Sequence, residues 1–80
     1  VPFKIEDAIK KAFNSEVEPY DKSVFRAVMH HINSQDKISV EEVQDIIEKE
    51  LYKHQHFKVM KSFIIYRHIH KIQREQILGI

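Results

Sequence analysis

Apolar residues recur at helical spacing in four separate stretches of this chain. Residues three and four apart share one face of a helix, so each stretch predicts an amphipathic helix. The first stretch contains Ile5, Ala8, Ile9, Ala12 and Phe13. The second runs from Tyr20 to Ile32, with Val24, Phe25, Val28, Met29 and Ile32 on its apolar face. The polar segments "SEVEP" and "NSQDK" follow these two stretches and are predicted as connections.

The third stretch has the clearest start. Ser39 is followed three residues later by Glu42, which is the spacing of a capping box. Its apolar face comprises Val40, Val43, Ile46, Ile47 and Leu51. The segment "YKHQHF" at 52–57 breaks the pattern. A fourth helix is predicted from about Lys58 to Gln76, with positions that face inward or nearly so at Met60, Phe63, Ile64, Ile69 and Ile72. One glycine and two prolines leave little turn chemistry, so a mainly α fold is expected.

Length and composition exclude several classes of protein. Eighty residues allow one small domain, and the absence of cysteine excludes disulfides and thiolate metal sites. No apolar run is long enough for a membrane span, and the start lacks the pattern of a signal peptide, so a cytoplasmic setting is expected. No nucleophile motif or glycine-rich phosphate loop is present. The carboxylate pairs Glu41–Glu42 and Glu48/Glu50 are interpreted as solvated helix faces, and no catalysis is expected.

Six histidines raise the question of a metal site. They occur as His30–His31, His54/His56 and His68/His70, and none of these spacings places two rings on one face of a helix. Only His54 and His56, in a predicted loop, could chelate a metal ion together. We expect solvated or partly packed histidines instead.

Charge is distributed unevenly. Residues 1–50 carry seven basic and eleven acidic side chains, a net charge of −4, whereas residues 51–80 carry six basic and one acidic, a net charge of +5. Arg67, His70, Lys71 and Arg74 fall on one side of the fourth helix, which favours an anion such as phosphate. The alternatives are a solvated basic helix end, or pairing with the acidic helices. A net charge of only +1 for the whole chain argues against nucleic acid as the partner.

The order of four sequence pieces resembles a known family. "VPFK", "KIEDAIKKA", "ISVEEVQDIIEKEL" and "FKVMKSFIIYRHIHKIQRE" together resemble the ATP-cone over essentially the whole chain, most closely the cone of anaerobic ribonucleoside-triphosphate reductases. The resemblance implies a four-helix bundle under an N-terminal β-hairpin lid, binding ATP or dATP with Mg²⁺. It also implies a regulatory domain rather than an enzyme. Its partners would be the reductase catalytic domain and other subunits, in an assembly whose oligomeric state the nucleotide controls.

The resemblance also assigns residues at the start of the chain. Val1-Pro2-Phe3 resembles the last strand of the lid, with Phe3 against the base. Lys4 and Ile5 match a lysine that approaches phosphate and an isoleucine that lines the base pocket.

Further site residues follow from the resemblance on the third and fourth helices. Val43 matches an apolar residue that touches the nucleoside, and Gln44 a polar residue that meets the ribose. His70 falls where relatives have a phosphate-binding lysine or arginine, and Lys71 follows it. Arg67, in "YRH", matches a common residue of the family whose role is either structural or ligand-binding.

The chain departs from the family pattern in three places. The first lid strand and its basic turn are absent, so residues 1–80 are either a fragment of the domain or a domain with an incomplete lid. The junction between Phe3 and Lys4 is short. Val40 stands where some relatives offer a hydroxyl to phosphate, although Ser39 is adjacent.

Two other functions remain open from the sequence. The chain could be the sensor half of an ATP-cone transcriptional repressor, whose zinc ribbon would lie outside this cysteine-free segment. It could also be a ligand-free helical interaction module whose basic face docks an acidic partner.

Overall fold

A computed structural model describes residues 4–78 of the chain, with side chains described for residues 4–73. These residues form four helices and no strand: α1 (Ile5–Ser15), α2 (Lys22–Asn33), α3 (Val40–Lys53) and α4 (Phe57–Leu78). The mainly α, four-helix architecture is confirmed. The proposed lid residues Val1, Pro2 and Phe3 lie outside the described residues, as does the side chain of Arg74.

Helix α3 begins as the sequence predicts. The Ser39 hydroxyl accepts a hydrogen bond from the Glu42 backbone N–H at 3.1 Å, and the Glu42 carboxylate accepts one from the Ser39 backbone N–H. This reciprocal pair satisfies two of the backbone donors that a helix leaves free at its start. The capping box therefore fixes where α3 begins and which of its residues face inward.

Several predicted helix boundaries were wrong by one or two residues. Helix α2 begins at Lys22 rather than Tyr20, because Asp21 is its N-cap and accepts a hydrogen bond from the Ser23 backbone N–H at 3.0 Å. The break predicted at 52–57 is shorter, because Tyr52 and Lys53 complete the last turn of α3. Helix α4 begins at Phe57 and ends at Leu78.

The connections between the helices are held by side chains of partly buried residues. Tyr20 donates a hydrogen bond to Glu6 Oε2 at 2.9 Å, and its ring meets Phe13 edge-on with centroids 5.7 Å apart. Burial raises the pKa of the Tyr20 hydroxyl, and the bond to Glu6 raises it further. His56, in the α3–α4 turn, donates from Nε2 to Asp21 Oδ2 at 2.8 Å. Both contacts attach a connection to a neighbouring helix.

The helices pack around one apolar core, in the order α1, α4, α3, α2, and α1 and α2 make the smallest of the four contacts. The buried apolar side chains come from all four helices: Ala8, Ile9, Ala12, Phe13, Val24, Val28, Val43, Ile47, Leu51, Val59 and Phe63. All of these residues except Val59 stand at positions that the helical spacing predicts as apolar, and Val59 is next to one, Met60. The core therefore confirms most of the predicted apolar pattern.

Helix α4 departs most from the prediction of its inner face. Ile64, Ile69 and Ile72 were expected inside, but 42%, 47% and 39% of their surfaces are exposed. The core side of α4 is defined instead by Val59 and Phe63, which are fully buried. The helix is apolar on more than one side, so spacing alone did not identify the side that packs.

Two smaller expectations were also wrong. Val40 is the first residue of α3 and is 39% exposed. Glu50 was interpreted as solvated but is only 4% exposed, because it lies beside Leu51 on the face of α3 that packs against α2.

Candidate functional site

Helix α3 carries two of the predicted site residues into the interior. Val43 and Gln44 lie just after the capping box, and their exposed fractions are 6% and 4%. Gln44 Oε1 is buried, and no described residue donates a hydrogen bond to it. A buried acceptor left unpaired costs about 1–3 kcal/mol, so such groups are rare in native proteins. A ligand that donates a hydrogen bond to this oxygen would remove that cost.

The start of α1 supplies the second part of the candidate site. Lys4 is the N-cap residue, and its exposed side chain makes no capping hydrogen bond. Ile5 is partly buried and packs against the core. The positive end of the helix dipole and the Lys4 ammonium both favour an anion here, although Glu6 and Asp7 occupy the first turn. The arrangement suits a phosphate that approaches from solvent.

Helix α4 supplies the third part. His70 is exposed, and its ring lies against Tyr66 with centroids 4.1 Å apart. Tyr66 in turn stacks on the buried ring of Phe63 at 6.1 Å. Lys71 is exposed, and within residues 4–73 its ammonium makes no hydrogen bond or ion pair with another side chain. The imidazole of His70 is therefore oriented by packing, whereas the Lys71 ammonium has no partner among the side chains of residues 4–73.

Arg67 is not part of an open, anion-facing row. Its guanidinium donates to Asp45 Oδ1 at 2.7 Å, to Glu48 Oε1 at 3.0 Å and to Glu41 Oε2 at 3.0 Å. Partial burial disfavours the charged form, but the hydrogen bonds to the three carboxylates outweigh it and hold the pKa of Arg67 above its usual range. The interpretation that a basic last helix pairs with acidic helices is correct for this residue.

The carboxylates around Arg67 could have been recognised in the sequence. Glu41, Asp45 and Glu48 are spaced i, i+4 and i+7, so they form one acidic row on α3. The basic row on α4 has the same spacing, and two such rows on adjacent helices are complementary. Glu41 and Glu48 were instead interpreted separately as solvated, and Asp45 was not considered. Tyr66 was also missed, although it lies four residues before His70 on α4 and this spacing places the two rings side by side.

The structure brings only part of the predicted set together. Val43 and Gln44 are adjacent in the interior, and Ile5 packs against the core that Val43 belongs to. Lys4, His70 and Lys71 are exposed on two other helices. No hydrogen bond or ion pair among the side chains of residues 4–73 joins these three to Gln44. The predicted residues are thus spread over α1, α3 and α4.

Two surface cavities lie elsewhere. One, of about 540 Å³, is lined by Glu48, Lys49, Tyr52, Lys53 and Met60. The other, of about 310 Å³, is a groove between α1 and α4 whose lining includes Lys11, Ala12, Ser15, Ile65, Tyr66 and Ile69. Neither is lined by Gln44, His70 or the other residues predicted to bind nucleotide.

The loop histidines have protein partners. His54 Nδ1 donates to the Glu50 carbonyl oxygen at 2.8 Å, and His56 is bonded to Asp21. The buried Glu50 carboxylate lies 3.3 Å from His31 Nε2 and 3.4 Å from Lys53 Nζ. Within the described part of the chain, no three histidine, cysteine or acidic side chains are grouped to hold a metal ion. No helix there is both long enough and apolar enough to cross a membrane.

Comparison with known proteins gives one match. The family model described as the ATP cone domain matches residues 1–72. No curated protein and no solved structure matches the chain. The match covers the described residues of all three parts of the candidate site.

Proposed function

The chain belongs to the ATP-cone family, and on that premise we propose that it senses adenine nucleotide for a ribonucleotide reductase. ATP-cone domains bind nucleotide effectors and are regulatory rather than catalytic. The observation that carries the proposal is the family match over residues 1–72. The arrangement of side chains on α1, α3 and α4 supports it.

The side chains fit the chemistry of a nucleoside triphosphate in two respects. Lys4, His70 and Lys71 are exposed donors, and each can reach a phosphate without giving up an ion pair with a described side chain. Gln44 supplies a buried acceptor that lacks a donor. Arg67 does not fit, since its donors are engaged by three carboxylates. In this proposal Arg67 positions α4 against α3 and does not bind phosphate, and Mg²⁺ arrives with the triphosphate.

Gln44 is the residue through which ATP and dATP would be distinguished. The two nucleotides differ only at the 2′ position of the ribose, where ATP has a hydroxyl that can donate a hydrogen bond and dATP has none. A buried acceptor discriminates strongly between ligands with and without a matching donor, because its desolvation is compensated in only one of the two complexes. The base would pack against apolar residues such as Ile5 and Val43.

The output of the domain would be a change of assembly. A ligand shifts an equilibrium only by its difference in affinity for the two states. We therefore propose that nucleotide occupancy favours one quaternary arrangement of the parent reductase over another. The reduction itself would occur in a separate domain.

Thermal unfolding of the 80-residue chain with Mg-ATP, Mg-dATP or Mg-GTP tests the proposal. A ligand at about 100 times its dissociation constant stabilises the folded state by about 2.7 kcal/mol. In a domain of this size that corresponds to a rise in Tm of roughly 10 °C or more. We expect both adenine nucleotides to raise Tm and GTP to leave it unchanged.

Matched variants locate the site. Lys71→Ala should reduce the shift caused by ATP, whereas Lys49→Ala, at an exposed lysine on α3 away from the candidate residues, should not. Equal shifts with ATP and GTP would contradict recognition of the base. No shift with any nucleotide, for the chain and for a version extended at its N-terminus, would refute nucleotide binding.

A further inference from the structure

Helix α4 presents more apolar surface to solvent than a helix packed on one side requires. Its inner side is fully buried at Val59 and Phe63. On another side, Ile65, Ile69 and Ile72 follow one another at i, i+4 and i+7 and are 59%, 47% and 39% exposed. An amphipathic helix normally turns one apolar stripe to the core and a polar face to water. A second stripe of three isoleucines is the pattern of a surface that another molecule covers.

The second stripe borders a groove and is not isolated on a convex surface. Ile65 and Ile69 form one wall of the α1–α4 groove of about 310 Å³, and Lys11 and Ser15 of α1 line the opposite side. Ala12, whose side chain is small and buried, also contributes to the lining. A small residue between two walls leaves room for side chains from outside. The shape therefore suits the apolar face of an elongated ligand.

The charges around the groove define the chemistry of that ligand. Lys11 lies in the groove itself, and Lys58 and Lys61 lie within two turns of Ile65 on the exposed part of α4. None of these three makes an ion pair with another side chain of residues 4–73. Surface cations without local partners attract acidic groups and repel basic ones.

Few acids of residues 4–73 lie near these cations. The Glu16 carboxylate accepts a hydrogen bond from the Ser62 hydroxyl in the lining of the groove and keeps its negative charge. Asp7 lies one turn before Lys11 on α1. A second copy of the chain docking through the same face would place cations against cations. The charge pattern thus favours an acidic partner over self-association.

We propose that the α1–α4 groove binds an acidic amphipathic helix of a partner protein. The stripe with its flanking cations extends from Lys58 to Ile72 on α4, which at 1.5 Å per residue is about 21 Å. A partner helix of about four turns covers that length, with apolar residues at i, i+4 and i+7 entering the groove and Asp or Glu beside them facing the lysines. The inference does not depend on nucleotide binding, since Gln44, His70 and Lys71 do not line this groove.

The test uses the complete 80-residue chain and a synthetic probe. The probe is a fluorescein-labelled, helix-stapled peptide of about 15 residues, with leucine at the helical apolar positions and glutamate at the others. Binding is followed by fluorescence anisotropy, and the contact surface is mapped from amide chemical-shift changes in the ¹⁵N-labelled chain. We expect the largest shift changes at Lys11, Ser15, Ile65 and Ile69. We also expect affinity to fall as salt is raised.

Variants at exposed positions keep the test independent of folding. Ile65→Ser and Ile69→Ser should each weaken binding by roughly tenfold, since each removes an apolar contact of about 1.4 kcal/mol. Ile64→Ser is the matched control, because Ile64 is 42% exposed on the same helix but does not line the groove. It should change the dissociation constant by less than about twofold. A peptide with lysine in place of every glutamate should bind at least roughly tenfold more weakly than the acidic peptide.

Several results would overturn the proposal. Among them are no binding of the acidic peptide at about 1 mM, equal binding of the basic peptide, and an equal loss of affinity in Ile64→Ser and Ile65→Ser. Dimerisation of the chain in analytical ultracentrifugation that Ile65→Ser abolishes would assign the groove to a second copy instead. Failure of the nucleotide scans would leave this surface unaffected, so the two proposals fail separately.

Discussion

Gln44 is the residue at which stability and the proposed function conflict. Its Oε1 is buried without a hydrogen-bond partner among the described residues, so desolvation of that oxygen lowers the stability of the nucleotide-free protein. Methionine has a similar length and no group that must be hydrogen-bonded. We predict that Gln44→Met raises the free energy of unfolding of the nucleotide-free chain by about 1 kcal/mol, measured by urea denaturation. The same variant should reduce the stabilisation by ATP more than that by dATP.

The exposed Gln35, in the α2–α3 connection, provides the control for this prediction. Gln35→Met should change neither the stability nor the response to nucleotide, because the side chain is already in water. A loss of stability in Gln44→Met would mean that the amide has a stabilising role within the bundle, and the assignment of Gln44 to the ligand would lose its physical basis.

The individual site residues show where sequence reasoning was effective. The inward position of Val43 followed from helical spacing, because a capping box fixed the start of its helix, whereas Gln44 was assigned by the family resemblance. The environment of Arg67 followed only in part. Spacing gives the face of one helix on which a residue lies, whereas the neighbour on that face depends on how two helices pack. The sequence left open whether Arg67 belongs to an anion-facing row or pairs with the acidic helices, and the structure places it among three carboxylates of α3.

Asp21 is the N-cap of α2, so its effect belongs to that helix. The hydrogen bond from Ser23, and to a smaller extent that from His56, lowers the pKa of the Asp21 carboxyl from an ordinary 3.8 to about 2. A carboxyl whose pKa is lower in the folded state stabilises the fold above the unfolded pKa, and this contribution is lost as the pH falls through the folded pKa. We predict that Asp21→Asn is less stable than the wild type at pH 5 and that the difference shrinks as the pH approaches 2.

The measurement is the free energy of unfolding of both proteins by urea denaturation at a series of pH values. Asp36→Asn, at an exposed acid in the α2–α3 connection, serves as the matched variant. If the free energies of unfolding of the wild type and Asp21→Asn differ by the same amount at every pH from 5 to 2, the capping carboxyl does not contribute to stability in the proposed way.

The four helices themselves were predictable because each has a polar face, an apolar face and a recognisable connection. The exception is α4, whose apolar residues are distributed over more than one side. Of its predicted inward residues, Phe63 is buried and Ile64 is not, although they are adjacent in the sequence. A helix with two apolar sides can pack on either, and the choice is made by the shapes of α1 and α3. Sequence periodicity contains no information about those shapes.

Arg67 belongs to the scale of the whole molecule, because it joins α4 to α3. Its side chain is only 21% exposed, and its guanidinium holds three carboxylates that would otherwise repel one another. We predict that Arg67→Met lowers the free energy of unfolding by about 1–2 kcal/mol, at the upper end of what partly exposed ion pairs contribute. The change in Tm under low-salt conditions measures this effect.

Arg26→Met is the matched control, since Arg26 is an exposed arginine on α2 that makes no ion pair with a described side chain. The stabilisation by nucleotide should persist in Arg67→Met. Its loss in a variant that is otherwise folded would show that Arg67 contacts the ligand after all.

The cluster around Arg67 also bears on how this sequence can vary. Three acids share one cation, so replacing any single acid leaves Arg67 with two anionic neighbours and the α3–α4 contact intact. Replacing the arginine removes all three attractions at once. Any one of the three acids can therefore be replaced without loss of the contact, whereas loss of all three would remove it. Once one acid has been replaced by a neutral residue, replacement of a second becomes harmful. Related sequences would therefore vary at these acidic positions one at a time, while Arg67 stays constant.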